Sequence, residues 1–195
     1  CFNNLKRIGL ALHAFYDRHH YFPPSRYEDP SKPSWRTAIL PYLDEADIAR
    51  RYEREGWTIP WDDPKHAQTV ASKIDVFRCP AATELPANGT SYVRVVGPGT
   101  MGEVGKEITF GNIRDGSSNT ILVVEWPYSR IPWAKPEDIT VDEFLSLFGR
   151  TESDQGIDVL LVDGSVKFFP LSTPPDKVRR ALTCAGGEPF SLREL

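Results

Sequence analysis

The run DVLLVDGSVKFF, residues 158–169, constrains this chain more than any other stretch. Two apolar, β-prone segments flank Asp163-Gly164, the strongest short-range hairpin signal, because both central positions of the tight turn call for positive φ. An antiparallel strand pair is therefore expected there. The stretches TSYVRVVG, KEITF, NTILVVEW and GIDVLLV share this character, being rich in Val, Ile, Tyr and Phe and separated by Gly, Asn, Asp and Pro. Asp115-Gly116 marks a second turn before NTILVVE, and DVFRCP reads as a short strand, so residues 75–170 form the sheet-rich part.

The first twenty residues follow a different period. Leu5, Ile8, Leu12 and Phe15 recur at helical spacing while Asn3, Lys6, Arg7, Asp17 and Arg18 take much of the remaining surface. A helix over 1–22 follows, ended by Pro23-Pro24, with its stripe buried against strands 120–125 and 157–169. Ser34 caps a short helix through Leu40, Pro41 interrupts it, and LDEADIARRYERE continues with acids early and arginines late. Asp63-Pro64 opens a helix to about Ile74. Val178, Ala181 and Leu182 define a last helix over 174–185, capped by Gly186-Gly187. The fold class is α+β: one domain over 1–195, an N-terminal helix packed on an antiparallel sheet, with additional short helices.

Several functions are excluded by what is missing. Among 195 residues with a net charge of −4, no block of like charge provides a nucleic-acid footprint or a polybasic membrane patch. The longest uncharged apolar runs are far below the roughly 20 residues that span a bilayer. Cys1, Cys79 and Cys184 lack the CxxC spacing of a zinc site. At most one internal disulfide can form; Cys79 with Cys184 is the pair to test first, because Cys1 lies at a terminus.

Chemistry-bearing residues are scattered. His13 and His20 lie on one helix face but about 10 Å apart along the axis, too far to share a metal, and His19 and His20 suit a helix C-terminus. No Ser stands in Gly-x-Ser-x-Gly, and GPGTMGEVG has the glycines of a phosphate loop without its Lys-Ser/Thr. No catalytic residue and no cofactor is assigned. Asp115, Asn119, Asp158 and Asp163 offer the hard oxygens that calcium takes, without the twelve-residue loop pattern that would specify it. Trp57, Trp61, Trp126 and Trp133 flank prolines and loops and are the candidates for stacking on sugar rings.

CFNNLKRIGLALHAFYDRHHYFPP, SWRTAILPYLDE, PWDDPKHA, VFRCP, TSYVRVVGPGT, IRDGSSNTILVVE, PWAKPEDI and VLLVDGSVKFFP together resemble, in this order, the planctomycete family of domain of unknown function (DUF) 1559. Members of that family carry a prepilin-type N-terminal segment and a C-terminal His-x9-Asp-Gly motif. Here Ser153 stands where the motif has histidine, so whatever role that histidine has is not carried over. The resemblance implies a non-enzymatic, extracytoplasmic domain of a cell-envelope protein, pilin-like or pseudopilin-like, whose partners are similar envelope proteins. Membrane contact would be made only by residues upstream of Cys1, the first helix being the soluble half of a longer one. The alternative expectation is a carbohydrate- or solute-binding module with polysaccharide as partner; a hydrolase using paired carboxylates is the third.

Overall fold

The computed structural model describes residues 1–29, 31–150 and 155–187; Ser153 lies outside them. Helix α1, Phe2–His19, buries Leu5, Ile8, Leu12 and Phe15 as its spacing requires. It stops before the proline pair, because His20 adopts a left-handed conformation (φ 66°) and its N–H bonds to Tyr16 O at 2.7 Å.

Short helices follow. The Ser34 hydroxyl accepts the Thr37 N–H and starts α2, Trp35–Ala38, and a 3₁₀ turn at Leu40–Tyr42 leads to α3, Ala46–Glu55. The helix expected from Asp63 to Ile74 is only a 3₁₀ turn, Pro64–His66, and α4, Ala67–Val70. It ends early because Ile74 is extended, which carries its side chain into the core. DVFRCP is not a strand either, since Asp75–Phe77 forms a 3₁₀ turn. The Asn4 side chain donates to Asp75 O and Arg78 O, replacing the ladder partner a strand would have needed.

Strands β1, Tyr92–Val93, and β2, Val95–Val96, are separated at Arg94, whose N–H goes to the Asp138 carboxylate at 2.9 Å. Within KEITF only Ile108 pairs, bridging Phe22. β3, Ile121–Glu125, is followed by β4, Ile139–Thr140, and α5, Val141–Leu145, where Thr140 and Glu143 cap each other reciprocally. β5, Gly156–Leu161, and β6, Val166–Pro170, then lead to α6, Pro175–Leu182.

The main sheet is antiparallel in the order β1-β3-β5-β6, and β2 pairs with β4 in parallel. Its central strands read as continuous apolar runs because both faces are covered. On one face Leu122, Val123, Leu160 and Val162 meet the stripe of α1. On the other, Val93, Val124, Val159, Leu161 and Phe169 pack with Phe144 of α5 and Val178 of α6. An irregularity between Ile121 and Val123 gives Leu122 and Val123 the same face. The helix lies close: a Cβ on Gly9 would stand 3.0 Å from a Leu160 methyl.

The hairpin at Asp163-Gly164 is present, with a different turn. Gly164 N–H bonds to Leu161 O and Leu161 N–H to Ser165 O, and of the two residues only Gly164 has positive φ, 80°. This is a type I turn closed by a glycine bulge, and Asp163 serves it through its carboxylate, which accepts the Ser165 N–H at 2.8 Å. The glycine cap expected after the last helix is also corrected. Thr183 is extended at the end of α6, and the Gly186 and Gly187 N–H groups turn to the Asp115 carboxylate instead.

The disulfide joins Cys1 to Cys79, with Cα atoms 4.8 Å apart, and Cys184 is a buried thiol, so the pairing of Cys79 with Cys184 is overturned. The reason is local. The turn held by Asn4 lies against the first turn of α1, which brings Cys79 to the helix start.

Candidate functional site

The four tryptophans do not form one surface. Trp133 is fully buried and donates its indole N–H to Ser72 O at 2.9 Å, so it is a core residue and no sugar platform. Trp126 packs on the α6 side of the sheet and Trp57 against Tyr52, 5.2 Å between ring centroids. Trp61, half-buried, lines a cleft.

The structure does not gather the four residues offered to calcium into one site, and two of the carboxylates hold backbone N–H groups. Asp115 accepts from Gly186 and Gly187, Asn119 donates to Asp115 O, Asp163 holds Ser165, and Asp158 sits within β5 opposite Phe168. Among the described residues, the one group of three side chains close enough to share an ion is Cys1, Cys79 and Glu125, and its two sulfurs are bonded to each other. His13 bonds to Val162 O at 2.8 Å, and His19 stacks on Phe15. Both imidazoles serve the packing of α1.

Two carboxylates on the α1 side of the sheet are neighbours. Burial pushes the Glu125 and Asp158 carboxyls above their ordinary range, and the Asp158 N–H points at Glu125 Oε2 across 3.5 Å. Glu125 borders a hollow of about 340 Å³, but Asp158 does not line it, so they do not form the paired acids of a hydrolytic pocket. Burial likewise raises the Cys184 thiol to about 11, which leaves it a poor nucleophile.

The densest polar chemistry gathers around Trp35, where sequence reasoning placed nothing. The Arg36 and Arg94 guanidiniums lie 4.9 and 5.1 Å from its ring centroid. Asp138, 1% exposed at its side chain, accepts from Arg36 Nη1 at 2.8 Å, Arg94 N at 2.9 Å and Trp35 Nε1 at 3.2 Å. Each hydrogen-bond partner of that carboxylate donates, which favours its anionic form. Burial works against both charges, pushing Asp138 up and Arg36 down, with each opposed by the other. Arg94 is lowered to about 10, also by burial, and stays charged at neutral pH. One carboxylate thus faces two guanidiniums. Arg94 bonds through Nη1 to Pro23 O and leaves Nε and Nη2 without a partner; Arg36 leaves Nε.

Beside this cluster lies a cleft of about 360 Å³, lined by Ser25, Arg26, Trp61, Lys135, Glu137 and Asp138. Ser25 is 2% exposed and its hydroxyl has no partner. Lys135 pairs with Glu137, and among the described residues the Arg26 side chain makes no hydrogen bond or ion pair. The signals were present in the sequence: Arg36 stands inside the apolar SWRTAIL, and Arg94 between valines in YVRVV. A charge at such a position marks a buried partner.

A family model, SBP_bac_10, described as "Protein of unknown function (DUF1559)", matches residues 1–106. That span carries α1, the disulfide, Ser25, Arg36, Trp61 and Arg94; Asp138 lies beyond it. No curated protein and no solved structure matches the chain.

Proposed function

The chain belongs to the DUF1559 family of unknown function, and from that premise we propose that it is a non-enzymatic, pilin-like domain of a cell-envelope protein. The observation that carries this reading is α1 laid across an antiparallel sheet, with one face buried and the other still bearing apolar side chains. Phe2 and Leu10 are 48% and 73% exposed there. Such a face suits packing against similar domains, so other pilin-like envelope proteins are the proposed partners. The Cys1–Cys79 disulfide supports an extracytoplasmic location, since such bonds persist in oxidising compartments. No helix among the described residues is long and apolar enough to cross a membrane. The proposal takes its anchor from the prepilin-type segment that the family resemblance implies.

The full-length gene product tests this. An apolar run of about 20 residues before Cys1, with recovery of the oxidised protein in the envelope fraction, is the expected result. Lack of that run, or recovery as a reduced cytosolic protein, overturns the reading. A binding role on the same domain draws its support from the Trp61 cleft alone rather than from four tryptophans.

A further inference from the structure

We propose that the cleft between Ser25 and Trp61 binds a monoanionic sugar acid, a pyranose carrying one carboxylate. Four features on four separate segments converge on it. Trp61 supplies a half-buried aromatic wall of the kind on which the apolar face of a sugar ring stacks. The Ser25 hydroxyl, buried and without a partner, stands in the lining, where a ligand hydroxyl would satisfy it. Arg26 offers a guanidinium with no other partner among the described residues, and guanidinium pairs with carboxylate in bidentate fashion. Beneath the floor, Arg36 and Arg94 outnumber Asp138, so the cleft sits over an excess of positive charge that little water screens.

Size and charge narrow the ligand further. A volume of about 360 Å³ falls in the range of small-molecule sites. The Lys135–Glu137 pair cancels itself, which leaves Arg26 and the buried guanidiniums to select an anion. An adjoining hollow shares Arg26 and Pro136 with the cleft, and once Arg26 is taken by a bound carboxylate it sets Glu28 and Asp29 against Lys32. A chain with a carboxylate on every unit would meet like charge there. One sugar acid, free or at a chain end, is the ligand that fits.

Tryptophan fluorescence and calorimetric titration of the purified chain at low salt, with glucuronate, glucose and polygalacturonate as probes, test the assignment. Glucuronate is expected to bind in a saturable, salt-weakened manner, at least about tenfold more tightly than glucose, the factor a lost charge-assisted hydrogen bond represents. Polygalacturonate should bind no more tightly per chain end. Arg26→Ala and Trp61→Ala should each weaken glucuronate by about tenfold. Ser25→Ala separates binding from folding: it removes a buried hydroxyl that the fold leaves unsatisfied, so melting is unchanged or raised while affinity falls. Equal binding of glucose and glucuronate, binding to the polymer alone, affinity unaffected by Arg26→Ala, or no binding to any probe overturns the proposal. None of these outcomes bears on the envelope role, which fractionation tests separately.

Discussion

The two faces of the sheet solve the same packing problem with different materials. On the α6 face, Val93, Val124, Val159, Leu161, Phe144, Phe169 and Val178 make a core from regular strands and helices, whose backbones satisfy their own hydrogen bonds. On the α1 face one long helix meets 3₁₀ turns and loops, which cannot do this. Side chains take over: Asn4 holds Asp75 O and Arg78 O, Arg78 donates to Leu85 O and Pro86 O, and the Ser91 hydroxyl accepts the Cys79 N–H. The buried Arg36, Arg94, Asp138 and His66 belong to this same face. Irregular backbone in a core brings buried polar groups with it, and those groups are the material from which a site can be made.

The largest test of that contrast is Asp138→Ala. Removing the shared carboxylate leaves two buried guanidiniums beside Trp35 without their anion and is expected to cost about 3–5 kcal/mol, read as a lower urea midpoint. Ile157→Val, a methylene lost from the apolar face, should cost only about 1 kcal/mol. If Asp138→Ala proves no more costly than Ile157→Val, the polar cluster is not what holds the α1 face together.

Reduction comes next. The disulfide closes a loop of 78 residues on the α1 face, and opening it should lower stability by about 2–4 kcal/mol. Cys79→Ser should reproduce the effect of dithiothreitol and be insensitive to it. Hydrogen exchange should localise the loss: amides of Asn4 to Leu12 and Ser91 exchange faster, whereas those of β5 and β6 change only with global unfolding. Uniform acceleration would mean the two faces unfold as one unit.

The same division explains what the sequence disclosed. The α1 stripe, the strands at 121–125, 156–161 and 166–170, and the last helix were legible, because each carries an apolar stripe or a β-prone apolar run within its own residues. Even there, turn chemistry was readable only in part. Asp-Gly placed the hairpin, but a bulge that asks positive φ of Gly164 alone is equally compatible with that dipeptide. On the irregular face, DVFRCP has strand composition, and what overrides it is a side chain some 71 residues away in sequence. Cysteine pairing depended on the same packing, so spacing could not supply it. The cleft was legible only through Trp61; Ser25 and Arg26 carry no periodic signal, and Arg36, Arg94 and Asp138 matter because three separate segments meet.

The smallest expected effect sharpens the comparison through pH. Glu125 ends β3 on the α1 face, where burial pushes its carboxyl up against the lowering effect of the Asp158 N–H. In the unfolded chain a glutamate releases its proton near pH 4.3, while the native carboxyl still holds it. Unfolding then releases a proton across that window, so this group's contribution is fully present below about pH 4.3 and declines as pH rises through the native value. Exposed carboxylates such as Asp47 and Asp75 are held below their ordinary range by Arg50 and Lys73 and give the opposite slope, so wild-type stability alone does not isolate the buried group. The difference between wild type and Glu125→Gln does, because the surface terms cancel. Measured by urea unfolding from pH 4 upward, the variant should gain on wild type as pH rises and then level off. A flat difference, or one of the opposite sign, would mean that water reaches Glu125 and that the α1 face is less dry at its edge than the packing indicates.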